Sequence, residues 1–156
     1  MGLKQSFKRA LKEFERAAAQ GHAMAQLALA GTYENGLGVK LNLATSTKWL
    51  RLAAAQGVPC AQANLGMMCY GEEGMAVNFD EAVRWYGLAA VQGHAEGLFC
   101  LAACYAQGHG VRRDYYEALR LFRRAEAKGD SGAVAQAEEL EKRLGLNSPV
   151  NSGRRV

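Results

Sequence analysis

Residues 49–57 read Trp-Leu-Arg-Leu-Ala-Ala-Ala-Gln-Gly, and residues 85–93 read Trp-Tyr-Gly-Leu-Ala-Ala-Val-Gln-Gly, 36 positions further on. The same Gln-Gly step stands at Gln20-Gly21, and Lys128-Gly129 falls at the next interval. Four further registers keep this period: Trp49, Trp85 and Leu121; Leu29, Leu65 and Leu101; Gly38, Gly74 and Gly110; Asn42, Asn78 and Asp114. Agreement of independent registers on one period marks an array of stacked units, in which each unit hides an apolar face that it cannot bury alone.

Each unit divides into two helices. The glycine of the Gln-Gly step ends one helix in a left-handed turn. The helix that follows, helix A, is predicted over 22–35, 58–71, 94–107 and 130–144. In its first copy Ala25, Leu29 and Tyr33 form an i, i+4, i+8 apolar stripe. Gly36-Leu37-Gly38-Val39 then turns the chain, and Asn42, Asn78 and Asp114 are side chains that cap a helix start. Helix B follows, with small residues (Ser46, Ala82, Ala118 and Ala53, Ala89, Ala125) around the bulky Trp49, Trp85 and Leu121. That alternation lets antiparallel helices approach closely. Residues 3–21 match helix B alone and 130–146 helix A alone. The expected organisation is one array over 1–146, with full units 22–57, 58–93 and 94–129 between two half units, about eight helices in all. Each terminal half unit should present a wet outer face. Residues 147–156 are polar, carry Pro149 and Gly153, and read as a disordered tail.

Bulk composition agrees with a helical chain: of 156 residues only two are proline, and glycine recurs at the helix ends. The net charge of +4 is mild, and Glu13, Glu15, Asp114, Glu117 and Glu126 interleave with the bases. That mixture makes solvated, salt-bridged faces, and nucleic acid is not an expected partner. The sequence lacks both a secretion signal and a stretch of about 20 apolar residues, which points to a cytoplasmic chain without a membrane span. Cys60 and Cys69 share a helix about 13 Å apart, and Cys100 and Cys104 lie one turn apart. The four cysteines are expected as free thiols packed as small hydrophobes in a reducing compartment. Met1-Gly2-Leu3-Lys4-Gln5-Ser6 fits the short pattern for N-myristoylation.

Ala25, Leu29, Tyr33, Gly36, Gly38, Val39, Asn42, Trp49, Ala53, Ala54 and Gly57 resemble the consensus of the Sel-one-like repeat (SLR) family. Leu101, Tyr105, Gly108, Gly110, Val111, Asp114, Ala118, Ala125 and Gly129 repeat it. The middle copy departs from it at Cys69, Glu72 and Met75, where tyrosine, glycine and valine are expected. The resemblance implies an all-α, right-handed α/α superhelical solenoid related to tetratricopeptide arrays, and the role of an adaptor that holds other proteins. Some cysteine-rich relatives bind penicillin and carry a disulfide linking the two helices of each unit. Here no cysteine falls on a helix B, so that relationship is not supported.

Chemistry is sparse. His22 and His94 occupy one repeat position and should sit about 20 Å apart, too far to share a metal or a proton. Asp130 holds that position in the last copy, so a polar residue that starts a helix is the simple reading. His109 stands alone in a loop. Neither a metal-ligand spacing nor a phosphate-cradling loop is present, and no catalytic residue, metal or cofactor is expected. A cell-wall or β-lactam hydrolase would need an acid–base constellation that is missing.

What remains is a surface. At 100° per residue, positions 24, 27, 31 and 34 of helix A point away from its core stripe. The copies read Met24, Leu27, Gly31, Glu34; Cys60, Ala63, Met67, Tyr70; Glu96, Phe99, Ala103, Ala106; and Gly132, Ala135, Glu139, Lys142. The first three rows are largely apolar and would line a concave wall. The expected partner is a peptide or helix of another protein, held by Met24, Leu27, Met67, Tyr70 and Phe99 with Glu96 nearby. The competing reading makes this ladder ordinary packing between helices A. Two alternatives stay open: an effector- or immunity-type protein acting on a host or rival protein, and self-association through the terminal half units.

Overall fold

The structure, a computed structural model, describes residues 2–71 and 76–146, with side chains from Gln5 onward. The tail 147–156, loop residues 72–75 and the start of the acylation pattern lie outside the described residues. Among these there are eight helices: α1 (Gly2–Ala19), α2 (Ala23–Asn35), α3 (Leu43–Ala55), α4 (Pro59–Tyr70), α5 (Phe79–Val91), α6 (Ala95–Gln107), α7 (Tyr115–Ala127) and α8 (Ser131–Arg143). Each packs on the helix before and the helix after it, and α4 also touches α6. The core runs along the stack as a chain of clusters, so the fold is an all-α solenoid.

The local chemistry repeats with the period. Gly21, Gly57, Gly93 and Gly129 take φ of 90°, 88°, 77° and 94°, a left-handed turn that a side chain would strain. Helix A begins one residue later than its register suggested, because His22, Val58, His94 and Asp130 are extended N-caps. Asn42, Asn78 and Asp114 cap α3, α5 and α7 by accepting from the N–H groups of Thr45, Glu81 and Glu117 at 3.0, 3.1 and 3.0 Å. The loop between the helices is pinned identically each time. The N–H of Asn42, Asn78 and Asp114 donates to the carbonyl of Tyr33, Cys69 and Tyr105 at 2.9, 2.7 and 3.0 Å. The divergent middle copy keeps this bond, since it uses only the backbone of Cys69.

Consecutive units are tied by buried amides. Gln26 and Gln62 donate to the carbonyls of Ala18 and Ala54, near the end of the preceding helix B. Each accepts in turn from the glutamine of a Gln-Gly step, Gln56 at 2.7 Å and Gln92 at 2.9 Å. In the third unit Leu98 replaces the glutamine, and Arg124 reaches the equivalent carbonyl of Ala90 instead.

Within a unit, helices A and B approach over small side chains. The ring of Tyr86 lies 2.6 Å from where a Cβ on Gly66 would stand. At the same register the first unit pairs Ala30 with Leu50 and the third Ala102 with Phe122, all buried. The middle unit needs glycine because its partner is the large ring. Gly66→Ala, which would favour an exposed helix, should therefore destabilise the protein by about 1–3 kcal/mol, seen as a lower midpoint of thermal unfolding. Adding Tyr86→Leu, which rebuilds the pair of the first unit, should recover part of that loss.

Candidate functional site

The A-type helices α4, α6 and α8 jointly line an open cleft of about 400 Å³. Met67 and Tyr70 enter from α4, Phe99 and Ala103 from α6, and Gly132 from α8; Glu96 and Asp130 lie at the helix starts. Four of the six residues singled out in the sequence, Met67, Tyr70, Glu96 and Phe99, thus meet in one place. Met24 and Leu27 are not part of it. Met24 is 68% exposed on α2, and Leu27 packs against the core cluster beneath Trp49 and Leu50.

The wall is apolar because its residues are shared with the core. Phe99 meets Phe122 edge-on, with centroids 5.3 Å apart. Met67 packs against the central cluster, and Ala63 is wholly buried. The rows drawn at 100° per residue as facing away from the core are therefore half core and half surface. The cause is that each helix A touches neighbours on two sides, which widens its buried arc beyond a single stripe. Gly132 leaves open the space beside Phe99, where a Cβ would come within 3.6 Å of the ring.

Tyr70 is held rather than free. Its hydroxyl donates to Oε1 of Gln107 at 3.1 Å and lies 2.6 Å from Nδ1 of His109. The imidazole of His109 stacks on Phe79 at 4.4 Å, and Phe79 meets Tyr70 edge-on. His109 does not stand alone in its loop, as the sequence suggested. It belongs to an aromatic cluster joining two units, and Phe79 at the first turn of α5 was the signal that linear spacing could not reveal. Burial pushes the Tyr70 phenol up, reinforced by the nearby Cys104 and Cys100.

The cysteines divide. Cys69 and Cys104 are buried, as small hydrophobes should be, and Cys100 is half-buried. Cys60 is exposed instead, which corrects the expectation that all four pack inside. It sits in the first turn of α4, where its side chain leaves the stack, with Sγ 3.4 Å from Nε2 of His94. Nδ1 of His94 accepts from the N–H of Gly97 and so caps α6. The neutral ring then carries its proton on Nε2, facing the sulfur. Asp130 plays the same capping part for α8, accepting from Ala133 at 3.1 Å, whereas His22 makes no side-chain cap bond. Among the described residues no three metal-ligating side chains converge, and no helix is long and apolar enough to cross a membrane.

The sequence pattern of the Sel1 repeat matches residues 1–22, 23–58, 61–94 and 95–130. This chain belongs to the Sel1 repeat family. A Sel1 repeat protein from Oxalobacter formigenes is similar in structure, with a TM-score of 0.78 and 33% identity over 84% of this chain and 98% of that one. A protective antigen present in uropathogenic Escherichia coli strains, displaying an SLR fold, gives 0.83 and 36% over 86% of this chain and 29% of its own. Cysteine-rich protein B of Helicobacter pylori shares the fold alone, with a TM-score of 0.64 and 18% identity over 85% of this chain and 95% of that one. No curated protein matches the sequence. Sel1 repeat proteins are generally non-catalytic scaffolds for protein–protein interaction.

The thiols of this Sel1 array should differ in chemistry. Iodoacetamide should label Cys60 first and reach Cys69 and Cys104 only on unfolding, as read by peptide mass spectrometry. Burial raises the Cys104 thiol from 9.0 to about 11. An acid raised in the folded state stabilises the fold below its unfolded value and loses that contribution as pH climbs through the folded one. Thermal stability should therefore fall between about pH 9 and 11, and Cys104→Ala should flatten that part of the curve.

Proposed function

We propose that this protein is a scaffold whose cleft across α4, α6 and α8 holds an extended or helical segment of a partner protein. The observation that carries the reading is the convergence of Met67, Tyr70, Phe99 and Glu96 on one open cleft. The floor offers a flexible thioether, a phenylalanine edge and an alanine, an apolar surface that tolerates differently shaped side chains. Its polar edge is anionic: Glu96 is exposed, and the Asp130 carboxylate caps α8. A bulky apolar anchor next to Lys or Arg is the partner chemistry that suits such a cleft. Tyr70 and Phe99 are held by His109, Gln107 and Phe122, which lowers the ordering cost of binding.

Glu96 is the residue to test, since it is exposed whereas Met67 and Phe99 also support the core. Peptides selected by phage display on the wild-type protein should bind Glu96→Lys about tenfold more weakly. The unfolding midpoint should move by no more than a few degrees. Equal binding to the variant would refute the cleft as the site.

A further inference from the structure

Gln107, the last residue of α6, differs from its counterparts in where its amide goes. Asn35, at the same register of α2, turns its amide back on its own helix and donates to the carbonyl of Gly31 at 2.9 Å. Gly71, at that register after α4, has no side chain. Gln107 instead reaches across to α4, where its Oε1 accepts from the hydroxyl of Tyr70 at 3.1 Å. A phenol has one proton, and here it is given to Gln107. The 2.6 Å contact between the same oxygen and Nδ1 of His109 therefore needs an N–H on Nδ1. His109 is fixed in turn, its ring stacked on Phe79 with 11° between the planes. Phe79, His109 and Tyr70 thus set the orientation of an exposed amide that would otherwise rotate. With Oε1 occupied, Nε2 has no acceptor among the described residues, and Gln107 lines the cleft.

Resting on the cleft reading proposed above, we infer that Nε2 of Gln107 donates to a backbone carbonyl of the partner, whose segment lies extended in the cleft. A carbonyl inside a helix is already engaged by its own helix, whereas an extended segment leaves its carbonyls open to a partner. Glu96 and Gln107 mark the two ends of the cleft on α6. Eleven positions separate them, about 16 Å of helix. An extended chain covers that span in about five residues. The partner then carries Lys or Arg at the Glu96 end and its clamped carbonyl at the Gln107 end, with the bulky apolar side chain between them over Met67 and Phe99. A helical segment would need about eleven residues for the same span and could offer Gln107 only the carbonyls of its last turn. Tyr70 is a positioning residue in this arrangement, because it acts on the partner through the amide it holds.

The probes are peptides selected by phage display on the wild-type protein that bind Glu96→Lys more weakly, so that each is known to occupy the cleft. Gln107→Met keeps the length of an exposed side chain and removes its amide. It should weaken every such peptide about fivefold by fluorescence anisotropy, whatever the peptide's sequence, because the bond is to backbone. Tyr70→Phe keeps the ring against Phe79 and releases the amide. It should weaken binding about threefold in the wild-type protein and leave it unchanged in the Gln107→Met background. A purely structural role for the Tyr70 hydroxyl would give equal losses in both backgrounds and overturn the positioning claim. The shortest fragments that keep full affinity should be about six residues long; a need for eleven or more would mark a helical partner and overturn the extended one. Unchanged affinity for Gln107→Met, or a loss confined to peptides that share one side chain, would overturn the backbone bond while the cleft reading stands. If no selected peptide distinguishes Glu96→Lys from wild type, the cleft reading fails first and the backbone bond falls with it.

Discussion

Everything in this architecture follows from how closely helix A and helix B of one unit approach. Gly66 lies under the ring of Tyr86, Ala30 shares its cluster with Leu50, and Ala102 with Phe122. Close approach buries a ring or leucine completely, at about 1.5–3 kcal/mol for each such side chain. It also keeps a pair thin, so that neither helix can hide more than one flank within the unit. The remaining flank must be covered by the next pair. Gly97 shows the same constraint between units, since a Cβ there would stand 2.6 Å from the Cβ of Ala89 on the preceding helix. Stacking is thus a consequence of the small residues, and translation along the array is the one arrangement that satisfies every unit in turn.

Close packing brings backbone groups near the ends of helix B out of water, and the array answers with one device in two chemical forms. In the first two joints a buried glutamine gives its amide to a carbonyl of the preceding helix and receives another glutamine on its own oxygen. In the third joint a leucine fills the volume, and an arginine from the other side takes over the carbonyl. Geometry is preserved although residue type, charge and donor helix all change. Beyond it, Arg123 of α7 bonds Glu141 of α8 and is braced by Glu126 on its own helix. That ionic contact adds to the buried inner face of Ala133, Ala137 and Leu140.

The sequence made the period, the caps and the pairing of helices legible, because each depends on residue types that recur at fixed intervals. Asn42, Asn78 and Asp114 do as caps what their chemistry dictates wherever a helix begins. Burial along the 24, 27, 31 and 34 rows was not legible. Ala63 is sealed, Met67 and Phe99 are half-covered and Met24 stands out, although all lie on comparable faces of their helices. Their exposure depends on the neighbouring helix A, and no property of a single helix reports that neighbour. The Tyr70–His109–Phe79 cluster escaped for the same reason: its members are distant in sequence and come from different registers. The contact of Cys60 with His94 spans two units as well, and no local motif encodes it.

Partner recognition, on the reading offered here, lies where the repeat departs from itself. Positions that fix the stack change residue type from unit to unit but stay buried, as the registers of Leu50, Tyr86 and Phe122 show, so they present little to a partner. The cleft instead mixes Met67, Phe99, Glu96 and Gly132, residues that differ from their counterparts at Gly31, Leu27, Met24 and Cys60. Phe99 pushes into the cleft because its copy has Phe122 below it, and Gly132 leaves room above. A change at exposed Glu96 alters the rim without disturbing the A–B contact, whereas Phe99 meets Phe122 and Tyr86 itself lines the cleft. Floor and fold thus share residues, and the polar edge is the part of the cleft that is free to vary while the stack is kept.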